Sequence, residues 1–126
     1  MQIFKTKIFR KFQRKAKVNN KALCDAIGRA EDGLIDADLG RGLIKQRIPL
    51  SGQGKSGGTR SIIAYRSGTR AVFIFGFAKS KQENITAADE RDMADTGAML
   101  LGLDVKAIAA MVLDEELFEV ICDAKS

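Results

Sequence analysis

Histidine and tryptophan are absent from this 126-residue chain, proline and tyrosine occur once each, and cysteine only twice. With no histidine and only Cys24 and Cys122, a tetrahedral zinc site cannot be assembled. Acid–base chemistry would fall to Lys, Arg, Tyr, Ser, Thr or carboxylates. Two cysteines do not make a disulfide framework, and both read as small buried hydrophobes, Cys24 on the apolar face of a helix. No apolar run approaches the roughly 18 residues needed to span a bilayer. The N-terminus carries no apolar segment of a secretion signal, so the expected setting is the cytoplasm, with no membrane partner. Hydrophobic residues are 45% and charged residues 29%, enough for an ordinary core, and the length fits one domain over residues 1–126.

Carboxylates are missing from two long stretches. Residues 1–21 hold eight lysines and arginines and no acid; residues 40–82 hold nine, again with no acid. From Glu83 onward the balance reverses, with eleven carboxylates against Arg91, Lys106 and Lys125. The net charge of +5 therefore hides a segregated pattern. Folded onto one face, the two basic stretches would make a strongly positive surface, and a polyphosphate is its natural partner.

Residues 2–4 fit a short strand. Ile8, Phe9 and Phe12 continue from Phe4 at helical spacing, so a helix is expected over 5–16, with Phe4, Ile8 and Phe12 as its packing stripe. A second helix, capped by Asn20, is expected to Ala30 with Leu23, Ala26, Ile27 and Ala30 inward. Residues 43–50 read as a strand that ends near Pro49. Strands are expected again over 60–66 and 70–77, joined by Ser67-Gly68-Thr69, with Phe73, Phe75 and Phe77 on one core face. Thr86 with Asp89 opens a helix that runs to Leu101, and Asp104 opens a short last one. The end, 117–122, fits either strand or helix. The expected fold class is α+β: a small antiparallel sheet with an N-terminal helical hairpin packed on one side, in the order β-α-α-β-β-β-α. A core over about 1–102 is followed by a short C-terminal extension, 103–126.

Between the strands lies Ser51-Gly52-Gln53-Gly54-Lys55-Ser56-Gly57-Gly58. Its letters match a dinucleotide fingerprint, but that motif needs a following helix, and here a strand follows. Gly54-Lys55-Ser56 mimics the end of a P-loop, yet Pro49 occupies the position of its first glycine. What remains is a donor-rich loop carrying Lys55 and leading to Arg60 on a strand. Glycines let a phosphate approach main-chain N–H groups while Lys and Arg supply charge. Lys45, Arg47, Lys79 and Lys81 lie on neighbouring strands or their ends. With Tyr65 and little else aromatic, such a surface suits backbone contact more than base stacking.

The segment Gly54-Lys55-Ser56-Gly57-Gly58-Thr59-Arg60, then Arg70 through Lys79 with its Gly-Phe-Ala-Lys ending, then Asn84-Ile85, resembles the RelE/ParE toxin superfamily, specifically its HigB-like branch. The resemblance covers about residues 42–102. It implies a type II toxin–antitoxin toxin: an mRNA interferase, a metal-independent endoribonuclease without cofactor, that cuts messenger RNA on translating ribosomes. The implied partners are mRNA, the ribosome and a cognate antitoxin, a helix-turn-helix protein of HigA-like type. The implied reaction is attack of a 2′-hydroxyl on its own 3′-phosphate, leaving a 2′,3′-cyclic phosphate. It needs a proton acceptor, stabilisation of the charged phosphorane and a donor for the leaving oxygen. Carried over residue by residue, Arg60 holds the scissile phosphate, Lys55 supplies the base or charge, and Lys79 or Lys81 serves the leaving group. Lys45, Arg47, Tyr65, Arg66 and Lys81 are the RNA-binding candidates. The Tyr or His that some members place near the last strand or final helix has no counterpart around Ile85, so Tyr65 substitutes or the role is unfilled. Two other readings stand beside this one: a ParE-like DNA gyrase inhibitor, and a nonenzymatic RNA-binding protein.

Overall fold

A computed structural model describes residues 1–49, 58–79 and 84–122. The chain begins with β1 (Gln2–Thr6), α1 (Lys7–Ala16) and α2 (Asn20–Glu31). Then follow β2 (Ala37–Gly40), β3 (Leu43–Ile48), β4 (Thr59–Arg66) and β5 (Arg70–Ala78). It closes with α3 (Ala87–Gly102), α4 (Val105–Leu113) and β6 (Leu117–Glu119). Among the described residues the strands form one sheet in the order β2-β3-β4-β5-β1-β6. Every neighbouring pair is antiparallel except β1 with β5, which run parallel. The small sheet with its helical hairpin is the α+β arrangement read from the sequence. Two strands were not foreseen as such: β2 is only four residues long, and the C-terminal segment resolves its ambiguity as β6.

Caps set the helix boundaries. The Thr6 hydroxyl accepts from the N–H of Phe9 at 3.1 Å, and donates to the Ile74 carbonyl at 2.9 Å. That cap makes Thr6 the end of β1 and starts α1 two residues later than the apolar spacing implied. Asn19, not Asn20, caps α2 by accepting from the N–H of Ala22 at 2.9 Å. Thr86 accepts from the Asp89 N–H and Asp104 from the Ala107 N–H, as the capping patterns anticipated.

The sheet has a core on each face. Phe9, Leu23, Ile27, Ile44, Ile63 and Phe73 pack beneath the α1–α2 hairpin. Phe4, Leu43, Ile62, Val72, Leu100 and Leu101 pack beneath α3 and α4. Two apolar expectations are corrected here. Phe4, Ile8 and Phe12 are not one stripe: Phe4 lies on β1 and faces the α3 side, Phe12 is half-buried, Ile8 is 64% exposed, and Phe9 is the fully buried anchor. Phe73, Phe75 and Phe77 do not share a face either, because the register shifts between Ile62 and Ile63, and the extra residue on β5 turns Phe75 and Phe77 to the α3 side.

A third correction concerns the cysteines. Cys24 on α2 and the exposed Cys122 form a disulfide that closes a sequence separation of 98 residues. They are not two independent buried hydrophobes, and the low cysteine count no longer argues for a reducing compartment. No single helix among the described residues is long and apolar enough to cross a membrane.

Close approach is built in at two glycines. A Cβ on Gly76 would collide with the Phe12 ring, so α1 lies flat on β5 there. A Cβ on Gly58 would come within 2.8 Å of the Ile48 carbonyl oxygen, a backbone contact that cannot move aside.

Candidate active site

Alternation along β3 and β4 decides where the cations go. Ile44 and Ile48 face the α1–α2 core and Leu43 faces α3, so Lys45 and Arg47 emerge on the α3 side. On β4, Ile62 and Ala64 face α3, and so does Arg60. Arg47 and Arg60 are register partners, directly opposite on adjacent antiparallel strands. Directly opposed residues on one face hold their Cβ atoms about 5 Å apart, and two like charges there are unfavourable until an anion intervenes. Lys45, Arg47 and Arg60 are each partly buried, and none of the ion pairs among the described residues involves them.

The strands that carry these cations are tied down from the opposite face. Gln46, fully buried, donates to the carbonyls of Ala26 at 3.0 Å and Leu34 at 3.2 Å, and accepts from the N–H of Asp36 at 2.7 Å. Its own carbonyl receives the Ser61 hydroxyl at 3.0 Å, and the Thr59 hydroxyl reaches the Ile48 carbonyl at 3.3 Å. The main chain of Arg47 is held at both ends: the Asp36 carboxylate accepts its N–H at 2.6 Å, and Arg29 donates to its carbonyl at 2.5 Å. Satisfied buried polar groups of this kind fix one geometry. The guanidinium of Arg47 is thus carried on a backbone with little freedom.

The described chain leaves this end of the sheet at Pro49 and resumes at Gly58, so the root of the β3–β4 connection lies beside Arg47 and Arg60. Lys55 and Lys81 lie outside the described residues. Lys79 directly follows β5, and its N–H points to the Gly58 carbonyl at 3.5 Å, which sets it beside the same root. Lys45 donates to the Asn84 side chain at 3.4 Å, which joins the approach to α3 to the same face. The structure therefore brings Lys45, Arg47, Arg60 and Lys79 to one end of the sheet.

Tyr65 and Arg66 are not in that group. They sit at the far end of β4, about 17 and about 20 Å along the strand from Arg60. Tyr65 faces the α1–α2 core, and its hydroxyl donates to the Glu31 carboxylate, which also receives the Ser67 hydroxyl and the Gly68 N–H. Burial, then the bond to Glu31, raises the Tyr65 phenol above its ordinary value, and that bond is the main cause lowering Glu31. Arg66 donates to the Leu101 carbonyl at 3.0 Å, and the buried Arg70 to those of Leu100 at 2.9 Å and Leu103 at 2.7 Å. Both arginines answer the unpaired carbonyls at the C-terminus of α3, where positive charge is favoured. Their place in an acid-free stretch thus has a structural cause.

Sequence reasoning missed Arg29, Asp36 and Gln46, the residues that hold Arg47 in place. A polar Gln46 between Ile44 and Ile48 was the one available signal, since an inward position on an otherwise apolar face must find partners.

The family model described as the RelE toxin of the RelE / RelB toxin–antitoxin system matches residues 1–120. No curated protein matches the chain. The match spans the sheet, both hairpin helices and the cationic end of β3 and β4, and members of that family are generally mRNA-cleaving endoribonucleases with a cognate antitoxin. The chain belongs to the RelE toxin family.

Proposed function

We propose that this chain is a HigB-like toxin of a type II system, which cuts messenger RNA on the ribosome by 2′-hydroxyl attack on the adjacent phosphate. The observation that carries the reading is the opposed Arg47–Arg60 pair on a braced pair of strands. A phosphodiester seated between them relieves their repulsion, and the phosphorane, with more negative charge than the ground state, relieves it further. Fixed positive charge that gains most in the transition state is what lowers a barrier. Arg60 holds the scissile phosphate, Lys45 and Arg47 steer and neutralise the flanking backbone, Lys55 takes the 2′-hydroxyl proton or supports its removal, and Lys79 or Lys81 protonates the leaving 5′-oxygen. The reading needs no cofactor, and its regulator is a helix-turn-helix antitoxin of HigA-like type.

The test is cleavage of mRNA on programmed ribosomes by the purified chain, followed by analysis of the new ends. The expected products carry 2′,3′-cyclic phosphate and 5′-hydroxyl ends, and are lost in the Lys55→Ala/Arg60→Ala double variant. Intact transcripts with DNA breaks in growing cells would instead identify a gyrase poison. Intact transcripts with salt-sensitive RNA binding would leave a nonenzymatic binder.

A further inference from the structure

The register shift between β4 and β5 brings an aromatic ring to the cationic face. Ile62 pairs with Phe75 but Ile63 with Phe73, so Ile74 is the extra residue and Phe75 lands on the side of the sheet that carries Arg60. Phe77, buried, stands directly across from Arg60, and its ring centroid lies 6.3 Å from that of Phe75. Phe75 itself is half-buried and lines an apolar depression of about 210 Å³ between β5, the start of α1 and α3. Met93 of α3 is a second wall, and Ile8, 64% exposed, leaves the depression open to solvent. Of the polar lining, the Thr6 hydroxyl is spent on Phe9 and Ile74. Asp92 and Thr96, exposed and one helical turn apart on α3, have no hydrogen-bond or ion-pair partner among the described residues.

We infer that this depression takes one base of the RNA substrate and prefers bases that carry an exocyclic amino group over uracil, an inference that rests on the ribonuclease reading. Position comes first. Phe75 is one strand over and two residues along from Arg60, about 8 Å between main chains, so a base beside the phosphate held at Arg60 is within reach. Size agrees: the space falls below the roughly 300 Å³ of the smallest drug-sized pockets, which suits a single planar ring system. The Phe75 ring and the Met93 thioether offer the polarisable surface on which any base stacks. Ile8 also lines the neighbouring depression walled by Lys7, Arg10, Lys11 and Arg14, so the backbone on either side of the seated base meets positive charge. Asp92 supplies the selection. A carboxylate accepts hydrogen bonds and donates none, whereas the Thr96 hydroxyl does either. Adenine, cytosine and guanine each present an amino N–H to such an acceptor; uracil presents two carbonyl oxygens flanking one ring N–H, and the carboxylate repels them. The same charge keeps a bare phosphate out of the depression.

The test uses the full chain with short 2′-O-methyl oligocytidine and oligouridine, which bind without being cut because the attacking hydroxyl is blocked. The two pyrimidines have the same ring size, so stacking contributes alike and the amino group is what differs. Fluorescence anisotropy at low salt is expected to show oligocytidine bound about fivefold more tightly, the scale of one hydrogen bond to a charged, solvent-facing acceptor. Asp92→Asn should bring the two affinities within about twofold of each other, because an amide both donates and accepts, and should leave thermal unfolding unchanged. Phe75→Leu should weaken both oligonucleotides about tenfold while the ratio stands, the loss of a stacking partner. Equal affinities in the parent, or a ratio that Asp92→Asn leaves unmoved, would overturn the base pocket. So would an Asp92→Asn or Phe75→Leu chain that binds RNA as the parent does but loses its antitoxin, because the depression would then seat protein. A parent that shows the preference yet cuts no mRNA on ribosomes would keep the pocket and end the nuclease reading; one that cuts mRNA without the preference would do the reverse.

Discussion

Arg47 and Arg60 stand directly across from each other on antiparallel strands, both on the α3 side of the sheet, without an ion-pair partner among the described residues. The arrangement works against the fold and for the ligand. A stability-driven sequence would place an acid or a neutral residue at one of the two positions.

That opposition sets the sign of a stability measurement. Arg60→Gln removes the cross-strand repulsion and should stabilise the protein by about 0.2–1 kcal/mol in chemical unfolding. The same change should lower mRNA cleavage by about 100-fold or more, the cost of losing a preorganised charge at the reacting phosphate. An Arg60→Gln protein that is markedly less stable than the parent would mean the guanidinium is a structural group, and the site assignment would fail. The two readouts moving in opposite directions is the signature of a functional charge.

Tyr65 is the chain's one tyrosine, and tryptophan is absent, so absorbance near 295 nm reports a single phenol. Burial and the bond to Glu31 hold that phenol above its usual value of 10.0, so the titration midpoint should lie on the alkaline side of 10. Glu31→Gln should bring it partway back, since burial, the larger cause, remains. A parent midpoint at or below 10 would show the hydroxyl to be free of Glu31, and available to stack or move protons after all.

Elements with a local signature were legible in the sequence, and those set by distant partners were not. The Thr86–Asp89 and Asp104 caps, the Ser67-Gly68-Thr69 turn and the successive inward residues of α2 all depend on residues within four positions of each other. Arg60, Lys45, Arg47 and Lys79 could be grouped because strand ends that share a hairpin are neighbours in any register. The misassigned face of Phe73 came from a one-residue register shift, which no alternation pattern reveals. Arg66 resembled RNA-binding charge because the carbonyl it satisfies belongs to Leu101 at the end of α3, far along the chain. Cys24 and Cys122 look isolated for the same reason: only the pairing of β6 with β1 brings the end of the chain back toward α2.

The disulfide should be the largest single covalent contribution to stability. Closing a loop near 100 residues restricts the unfolded chain by about 4–5 kcal/mol, with measured values from about 0 to 5. Cys24→Ser, Cys122→Ser and the reduced parent should all unfold at lower denaturant than the oxidised parent, and by similar amounts. Because Cys122 is exposed, mild reductant should reach the bond in the folded protein. Acting on ribosomes would expose it to the reducing cytosol, so the reduced form should still fold and still cleave. Two free thiols in the purified, unreduced protein, counted by thiol titration, would remove the crosslink from this account.

Lys5 gives the remaining test, on the charge buried beneath the hairpin. The residue is 9% exposed, and its ammonium donates to Gln13 at 2.6 Å and Asn20 at 3.1 Å, both neutral acceptors. Burial first, then repulsion from Arg10 and Arg14, lowers its pKa below the ordinary 10.5. In the window between the lowered value and 10.5 the unfolded chain binds more protons than the folded one, so stability rises with pH there. The gain is complete above 10.5 and is lost as pH falls through the folded value. Urea unfolding of the parent against Lys5→Met, from pH 8 to 11, should therefore show the parent gaining on the variant as pH climbs. Added salt should reduce the effect in part, because it screens Arg10 and Arg14 but leaves burial untouched. A difference that stays flat, or shrinks toward alkaline pH, would mean that the ammonium of Lys5 reaches solvent in the folded protein.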